Sequence, residues 1–549
     1  MRTPCSRPVA LLFSLFSFVV CAQPVLLENI TLVDVKNLQL KPGQTVVLDG
    51  DSISAVYATG SKKRPADGTV LDMKGLYLLP GLIDAHVHHA TEPEGGDNAS
   101  ATQKRLSALL RGGVTSVRDM GGDVRVLTGL KRQAELDLIQ SPDIYYSVII
   151  GGQEFFSDPR TVASARGKTP GDTDWMRSVN AQTDFDALML RTLGTGATGI
   201  KIYAKVPADL MPKLSAAAKK HGVKVWAHAY VGPAKPDDAV QAGVEVISHA
   251  PDLAATVISS YENWRRKDLP VSAEVKKASF EPASYQSLLT QMKQQGTMLD
   301  ATLTIFHQLQ QRNLNAATIY QHGLLFTKLA HQHGIKIVAG TDFLSDKAGL
   351  DYPMVHQEMQ LLVEQAGLTP LQAIQAATLH GAEAIGIAEQ VGSIEPGKKA
   401  NLMILSANPA DAISNSRQIA HVIKNGRFVY RGDDSRLPFS NARAVNGVLY
   451  LSGQLGNFPG TMVLNGTSIE SQMQQTMQNI GSVLQEHKLG FDAVFKCTLM
   501  LADIKDWPAA NTVYLQYMKT PLPARSAFAS SGLALGAKVE VECMAQYSL

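Results

Sequence analysis

Cysteine is scarce: there are four in 549 residues, and two of them, Cys5 and Cys21, fall within the first 21 positions. Only Cys497 and Cys543 belong to the body of the chain. A disulfide scaffold is therefore excluded, while the pairing of these two stays open at the level of sequence. An excess of one charge is lacking too. The formal net charge is +2 and no block of like charges stands out, so neither nucleic acid nor another polyanionic surface is an expected partner. The chain has no G-x-x-x-x-G-K-S/T phosphate loop and no G-x-S-x-G nucleophile elbow. Gly194-Thr195-Gly196-Ala197-Thr198-Gly199 fits a dinucleotide fingerprint. It precedes a strand-like run instead of following one, so it reads as a turn.

What is present is ordinary globular material. Hydrophobic residues make up 45% and charged residues 18%, which argues against disorder, and the length implies two or three folded units. The N-terminus departs from this average. Arg2 and Arg7 precede the apolar run Val9 to Val20, and Val20 and Ala22 occupy the positions before a cleavage point after Ala22. This is the layout of a secretory signal peptide, so the chain is expected to be exported, to a periplasm or the exterior. The run is too short for stable membrane insertion. Cys21 opens a lipid-anchor alternative, disfavoured by the bulky Val20 before it.

Beyond the signal, short β runs separated by turns occupy Val25 to Tyr77 and recur around Ala400 to Tyr430, with Asn425-Gly426 as a hairpin turn. Between them, strand-like runs alternate with helical patterns. They are Leu82–Asp84, Ser116–Arg118, Ile144–Ile149, Ile200–Tyr203, Val223–Ala227, Glu245–Ile247, Met298–Asp300 and Lys336–Ala339. About eight strand–helix units predict a closed parallel (β/α)₈ TIM barrel of the α/β class, flanked by a small β-sandwich built from both ends. Arg431 to Ser435 reads as a linker. The last 110 or so residues then predict an α+β domain: strand Leu449–Leu451, helix Ile469–His487, strand Val494–Met500, helix Trp507–Tyr517 and a final strand near Lys538–Ala545. The expected division is 1–22 signal, 23–80 with 391–432 composite sandwich, 81–390 barrel, and 437–549 C-terminal domain.

The densest chemistry follows Leu79-Pro80-Gly81-Leu82-Ile83-Asp84-Ala85-His86-Val87-His88. His86 and His88 stand two apart at the end of a strand, so both rings project from one face. Two imidazoles side by side can take two positions around a metal ion. His-x-His alone is weak, but later strands end in ligand-type residues as well: Trp226-Ala227-His228, Ile247-Ser248-His249 and Ala339-Gly340-Thr341-Asp342, with Lys201 in the fourth run. A barrel gathers its strand ends into one site, and packing alone does not explain so many ligands there.

This series resembles the amidohydrolase superfamily, nearest its imidazolonepropionase- and prolidase-like branch. So does Gly392-Ser393-Ile394-Glu395-Pro396-Gly397-Lys398-Lys399-Ala400-Asn401-Leu402. The likeness covers roughly residues 25 to 430. It implies hydrolysis of a carbon–nitrogen bond in an amide, cyclic amide or dipeptide by two divalent ions, zinc by default. His86, His88, Lys201 and Asp342 would hold one ion; Lys201, His228 and His249 the other. Lys201 would bridge them as its CO₂ adduct, a carbamate, and would leave a mononuclear site if it stayed an ordinary lysine. Asp342 would move the proton from water to the leaving nitrogen, and the Tyr230 hydroxyl would assist at the carbonyl, unless that tyrosine is structural. Deamination or lactone hydrolysis on the same site, and a non-catalytic scaffold, are the alternatives.

Leu451-Ser452-Gly453-Gln454, Asn511 with Tyr514, Pro523-Ala524-Arg525-Ser526 and Val539-Glu540-Val541-Glu542 resemble the reactive-intermediate deaminase (Rid, YjgF-like) family from 437 onward. By that resemblance Arg525 holds a substrate carboxylate, Glu540 positions a water, and the domain forms trimers with sites between subunits. Phe439 departs from the pattern, because many relatives carry tyrosine there. The plain alternative is a domain that only oligomerises the enzyme.

Overall fold

The computed structural model describes residues 23–65, 68–88, 99–343, 352–431, 439–459 and 464–547. The expected signal segment, Cys21 and most of the expected linker lie outside the described residues. Among the described residues, no helix is long and apolar enough to cross a membrane.

The central sheet has eight parallel strands in chain order: Leu82–Val87, Val114–Asp119, Asp143–Gly151, Gly199–Ile202, Lys224–His228, Val246–Ser248, Met298–Asp300 and Ile337–Val338. Each overlaps one of the eight apolar runs of the sequence. The ring is nearly closed, since the Ala85 N–H donates to the Ala339 carbonyl at 3.1 Å and Val87 bridges in parallel to Phe343. Every residue of the first two strands is buried. That follows from a parallel sheet with helices outside and packed side chains within. Strand alternation then sorts the interior into layers. Trp226, Val246 and Met298 form part of one apolar cluster with Val338, and each of the first three lies two residues before a polar strand end: His228, Ser248 or Asp300. An apolar layer thus underlies a polar one at the C-terminal mouth.

The two β-rich flanks join in a single sheet. Its order is Arg427–Arg431, Ile419–Lys424, Leu402–Leu405, Tyr77–Pro80, Val25–Asp34, Gln39–Asp49, Ser52–Ala58, with Thr69–Asp72 beside Val25–Asp34. Tyr77–Pro80 and Leu402–Leu405 pair antiparallel, Pro80 opposite Leu402. Ile53 from one end and Phe428 from the other share one core with Leu27, Leu78 and Ile404, so the sheet folds back upon itself as a small sandwich.

The C-terminal domain orders its strands Ala442–Val445, Val448–Leu451, Val539–Gln546, Val494–Leu501, Ala524–Ala529, with Gln454–Leu455 beside Val539–Gln546. Helices Ile469–Glu486 and Trp507–Tyr517 cover one face and share its core. Cys497 lies directly opposite Cys543 in the sheet and the two form a disulfide in that core. Phe458 packs on Phe428 of the sandwich, centroids 5.4 Å apart, and the Ser107 hydroxyl donates to Gln485 Oε1 at 3.1 Å.

Candidate metal centre

The candidate ligands come from five strands or their ends. His86 lies in the first strand and His88 just beyond it, Lys201 in the fourth, His228 at the end of the fifth, and His249 and Asp342 just past the sixth and eighth. Their ligand-type atoms converge: those of His86, His88 and Asp342 all lie within 4.8 Å of one another. His88 Nε2 stands 3.0 Å from Asp342 Oδ1, and His86 Nε2 stands 3.5 Å from the same oxygen. The His249 ring is 5.1 Å from that of His86 and 4.6 Å from that of His228, so the four imidazoles form one arc. Lys201 is wholly buried, and its Nζ donates to Ser248 Oγ at 2.7 Å, on the residue preceding His249.

Backbone conformation aims several of these groups. His249, Thr302 and Asp342, just past the sixth, seventh and eighth strands, all have positive φ (73°, 51° and 51°). Aspartate and histidine tolerate that region, but for the β-branched Thr302 it is unfavourable, and strain of about 1–3 kcal/mol persists only where the surroundings enforce it. Here the enforcing contacts are visible: Thr302 Oγ1 lies 3.0 Å from His249 Nδ1, and the Asp342 N–H donates to the His86 carbonyl at 2.8 Å. The Asp84 carboxylate accepts from the N–H and hydroxyl of Thr341, at 3.1 and 2.8 Å, tying the eighth strand end to the first.

Burial shapes the ionisation of the whole cluster. It pushes Lys201 down to about 7, with the Arg118 charge acting the same way, and it pushes His86 and His249 down to about 4 and about 3. Burial alone would raise Asp342, but the surrounding His86, His88 and His249 hold it well below the carboxylate range. The set therefore favours neutral imidazoles at His86 and His249 beside an ionised Asp342, which are metal-ligand forms. At His88, by contrast, burial lowers the pKa, but the contact with Asp342 outweighs it and raises the pKa. His86 Nε2 is buried without a hydrogen-bond partner among the described residues, and its other nitrogen faces Asp300 Oδ2 at 2.7 Å. A buried acceptor left so costs about 1–3 kcal/mol, and a divalent cation between His86, His88 and Asp342 would satisfy it. Nitrogen and carboxylate donors in this number suit such an ion.

Several contributors carry no distinctive mark in the sequence. Asp300 and Ser248 end the seventh and sixth strands, and Arg118 lies in the second. Tyr203, just past the fourth strand, packs its ring on His228 at 4.4 Å. A Cβ on Gly121 would come 2.9 Å from the Tyr203 hydroxyl and 3.2 Å from the His88 ring, so that hydroxyl borders the cluster. Burial, then Asp342 and Asp119, hold Tyr203 protonated. Tyr230 lies two residues past His228 with its ring edge-on to Tyr261 at 4.9 Å.

In the C-terminal domain, Arg525 is half-buried with its guanidinium carbon 4.9 Å from the Tyr514 ring centre, on the helix-covered side of the sheet. Glu540 alternates with the buried Val539 and Val541 and so belongs to the opposite face. Burial, helped by Glu542, raises its pKa, and a Cβ on Gly453 would fall on its carboxylate. One chain alone therefore does not bring Arg525 and Glu540 together. Phe439 is 55% exposed.

Comparison with known proteins places this geometry among relatives. The profile described as "Amidohydrolase family" matches residues 77–429, and the one described as "Endoribonuclease L-PSP" matches residues 434–547. Over 108 residues the C-terminal part is 39% identical to Reactive Intermediate Deaminase A, chloroplastic, of Arabidopsis thaliana, covering 20% of this chain and 58% of that protein. It is also 39% identical over 108 residues to a 2-iminobutanoate/2-iminopropanoate deaminase of Capra hircus, covering 20% of this chain and 79% of that one. In fold, the chain is similar to a Xaa-Pro dipeptidase crystallised with methionine in its active site. The TM-score is 0.58 at 23% identity, over 75% of this chain and 100% of that one.

Proposed function

From the premise that the chain belongs to the amidohydrolase family, and so is a hydrolase acting on carbon–nitrogen bonds, we propose that it cleaves amides, cyclic amides or dipeptides at a two-ion site. The observation that carries this is the convergence of His86, His88 and Asp342 atoms within 4.8 Å at the mouth of the barrel. His86, His88 and Asp342 would hold one ion and His228 and His249 the other, and Lys201 would serve both as a carbamate, formed when its neutral Nζ bonds the carbon of CO₂ and releases a proton. Burial supports that step by pushing Lys201 down to about 7, so that a substantial share of the amine is neutral near pH 7. Imidazole and carboxylate donors make zinc the expected metal. When bound, the ions supply an acidified water and a polarised scissile carbonyl. Asp342, ionised at the start, takes the proton on a carboxylate oxygen and returns it to the leaving nitrogen. A hydroxyl from Tyr230 or from the protonated Tyr203 donates a hydrogen bond to the carbonyl oxygen.

The C-terminal domain we assign to deamination of an enamine or imine, with the Arg525 guanidinium gripping a carboxylate and Glu540 positioning water. Because the two lie on opposite sheet faces, a pocket using both draws one from a second copy. The exposed Tyr450 and Phe528 support a homotrimer, which light scattering would report as three chains. An amide whose cleavage releases an enamine would join the two activities. Export is supported by the Arg2-to-Ala22 pattern and by the Cys497–Cys543 disulfide, a bond at home in oxidising compartments.

Elemental analysis of protein lacking residues 1–22, beside its Lys201→Ala variant, tests the barrel. About two equivalents of zinc falling clearly in the variant support the bridged site. One equivalent in both reduces it to a mononuclear centre, and none in either turns the barrel into a scaffold. For the deaminase assignment, Arg525→Ala should abolish ammonia release from imine substrates; unchanged release would sink it.

A further inference from the structure

We propose that Asp300 is the positioning residue of the metal centre, a single carboxylate that orients one ligand directly and a second through a serine. The inference rests on the two-ion reading above. Asp300 ends the seventh strand, is wholly buried, and is absent from the group of converging ligand atoms. Its Oδ2 nevertheless collects three neighbours: His86 Nδ1 at 2.7 Å, the Ser248 hydroxyl at 2.9 Å and Arg118 Nη2 at 3.3 Å.

Each contact has a directional consequence. An ionised carboxylate can only accept, so His86 must carry its proton on Nδ1, which leaves the Nε2 lone pair facing His88 and Asp342. Asp300 sits behind the imidazole, on the side away from Nε2, and acts on the ion through the ring. Ser248 gives its own proton to Asp300, which leaves its oxygen to receive the Lys201 Nζ–H at 2.7 Å. The amine is thereby held at the depth of the strand six end, beside His249. One oxygen thus sets a ligand of the first ion and the bridging ligand of both.

Arg118 makes a buried carboxylate tenable in this place. Its guanidinium faces Asp300, donates from Nε to the Ala85 carbonyl at 2.5 Å and lies 4.7 Å from the centre of the Trp226 ring. Gly340 completes the arrangement, because any Cβ there would fall on Asp300 Oδ1.

The test uses the full mature chain and its Asp300→Asn, Asp300→Ala and Ser248→Ala variants. After the metal is stripped, zinc is titrated back against a fluorescent chelator, with circular dichroism and Tm as folding controls. Both Asp300 variants should lose about 10–100-fold in zinc affinity while the fold is retained. Ring-nitrogen NMR of histidine-labelled, zinc-free protein should show His86 protonated at Nδ1 in the parent and as mixed tautomers in Asp300→Ala. Ser248→Ala, the mildest change and the one least able to unfold the barrel, should keep the His86 tautomer yet weaken the bridged pair of ions to one tight equivalent. Parent-like affinity and tautomer in the Asp300 variants would overturn the role of Asp300, as would two tight equivalents in Ser248→Ala for the serine link. A parent that binds no zinc would instead overturn the metal site itself.

Discussion

Gly340 lies two residues before Asp342, and a Cβ built on it would meet Asp300 Oδ1 and come 2.6 Å from His86 Cβ. Both neighbours are fixed by other bonds, so Gly340→Ala has no side chain free to yield. Overpacking of this kind costs about 1–3 kcal/mol, and the displaced groups are a ligand and its partner. The variant is expected to lose bound zinc more than it loses Tm, which elemental analysis beside calorimetry would show. A normal zinc content would mean that the Asp300–His86 pair tolerates displacement. At this scale the sequence speaks unevenly. His86, His88, His228 and His249 are legible together, because several apolar runs of one alternating series end in histidine, which packing alone does not explain. Asp300 closes such a run too, in Met298-Leu299-Asp300, yet carries no mark of its own. An aspartate at a strand end serves equally as a turn residue or a helix cap, and only the three donors around it reveal its use.

Helix Val355–Glu364 supplies a buried acid that caps another helix. Glu358 accepts from the N–H groups of Leu303 and Thr304, at 2.9 and 2.7 Å, and from the Thr304 hydroxyl at 2.6 Å. Burial, the largest influence, raises its carboxyl to about 8 from about 4.5. Between those values the folded chain holds a proton that the unfolded chain has released, so this residue's contribution to stability falls as pH rises from 4.5 to 8 and levels off above. Glu358→Gln should flatten that part of the Tm-against-pH curve, at a cost of about 1–3 kcal/mol for the altered acceptor. Parallel slopes in variant and parent would show that Glu358 does not titrate there. In helix Val124–Glu135, Gly129 is exposed and a Cβ on it meets nothing within 4 Å. Gly129→Ala should therefore raise stability by about 0.5–1 kcal/mol in chemical denaturation, without touching zinc content; a loss of stability would be the contrary result. Elements are legible here in proportion to how local their causes are. Barrel strands buried on both faces read as apolar runs, even the two-residue Ile337–Val338. The short helices Tyr261–Arg266 and Ala273–Ala278 do not. Distant contacts hold that region, such as the Asn315 amide donating to the Trp264 and Leu269 carbonyls.

Across the whole molecule, the Cys497–Cys543 bond closes a loop of 46 residues within the C-terminal domain. Loop-closure entropy alone gives such a cross-link about 4 kcal/mol, and both cysteines belong to that domain's core. Cys497→Ala with Cys543→Ala is expected to lower the C-terminal transition in calorimetry and leave the barrel transition in place. Movement of both together would mean that the domains unfold as one. The pairing is not readable from two cysteines in a chain. It requires the strand register that sets them opposite each other, whereas the two-domain plan itself shows in the break near residue 431.

The sandwich has a consequence in time. Tyr77–Pro80 finds its antiparallel partner only in Leu402–Leu405, about 320 residues further along. At the 5–20 residues per second of ribosomal synthesis, roughly 16–65 s separate the two strands' emergence. Throughout that interval one edge of the N-terminal sheet lacks its mate while the entire barrel is still being made. Whatever carries the nascent chain must shield this edge from other copies, and a slower translation rate would lengthen the exposure in direct proportion.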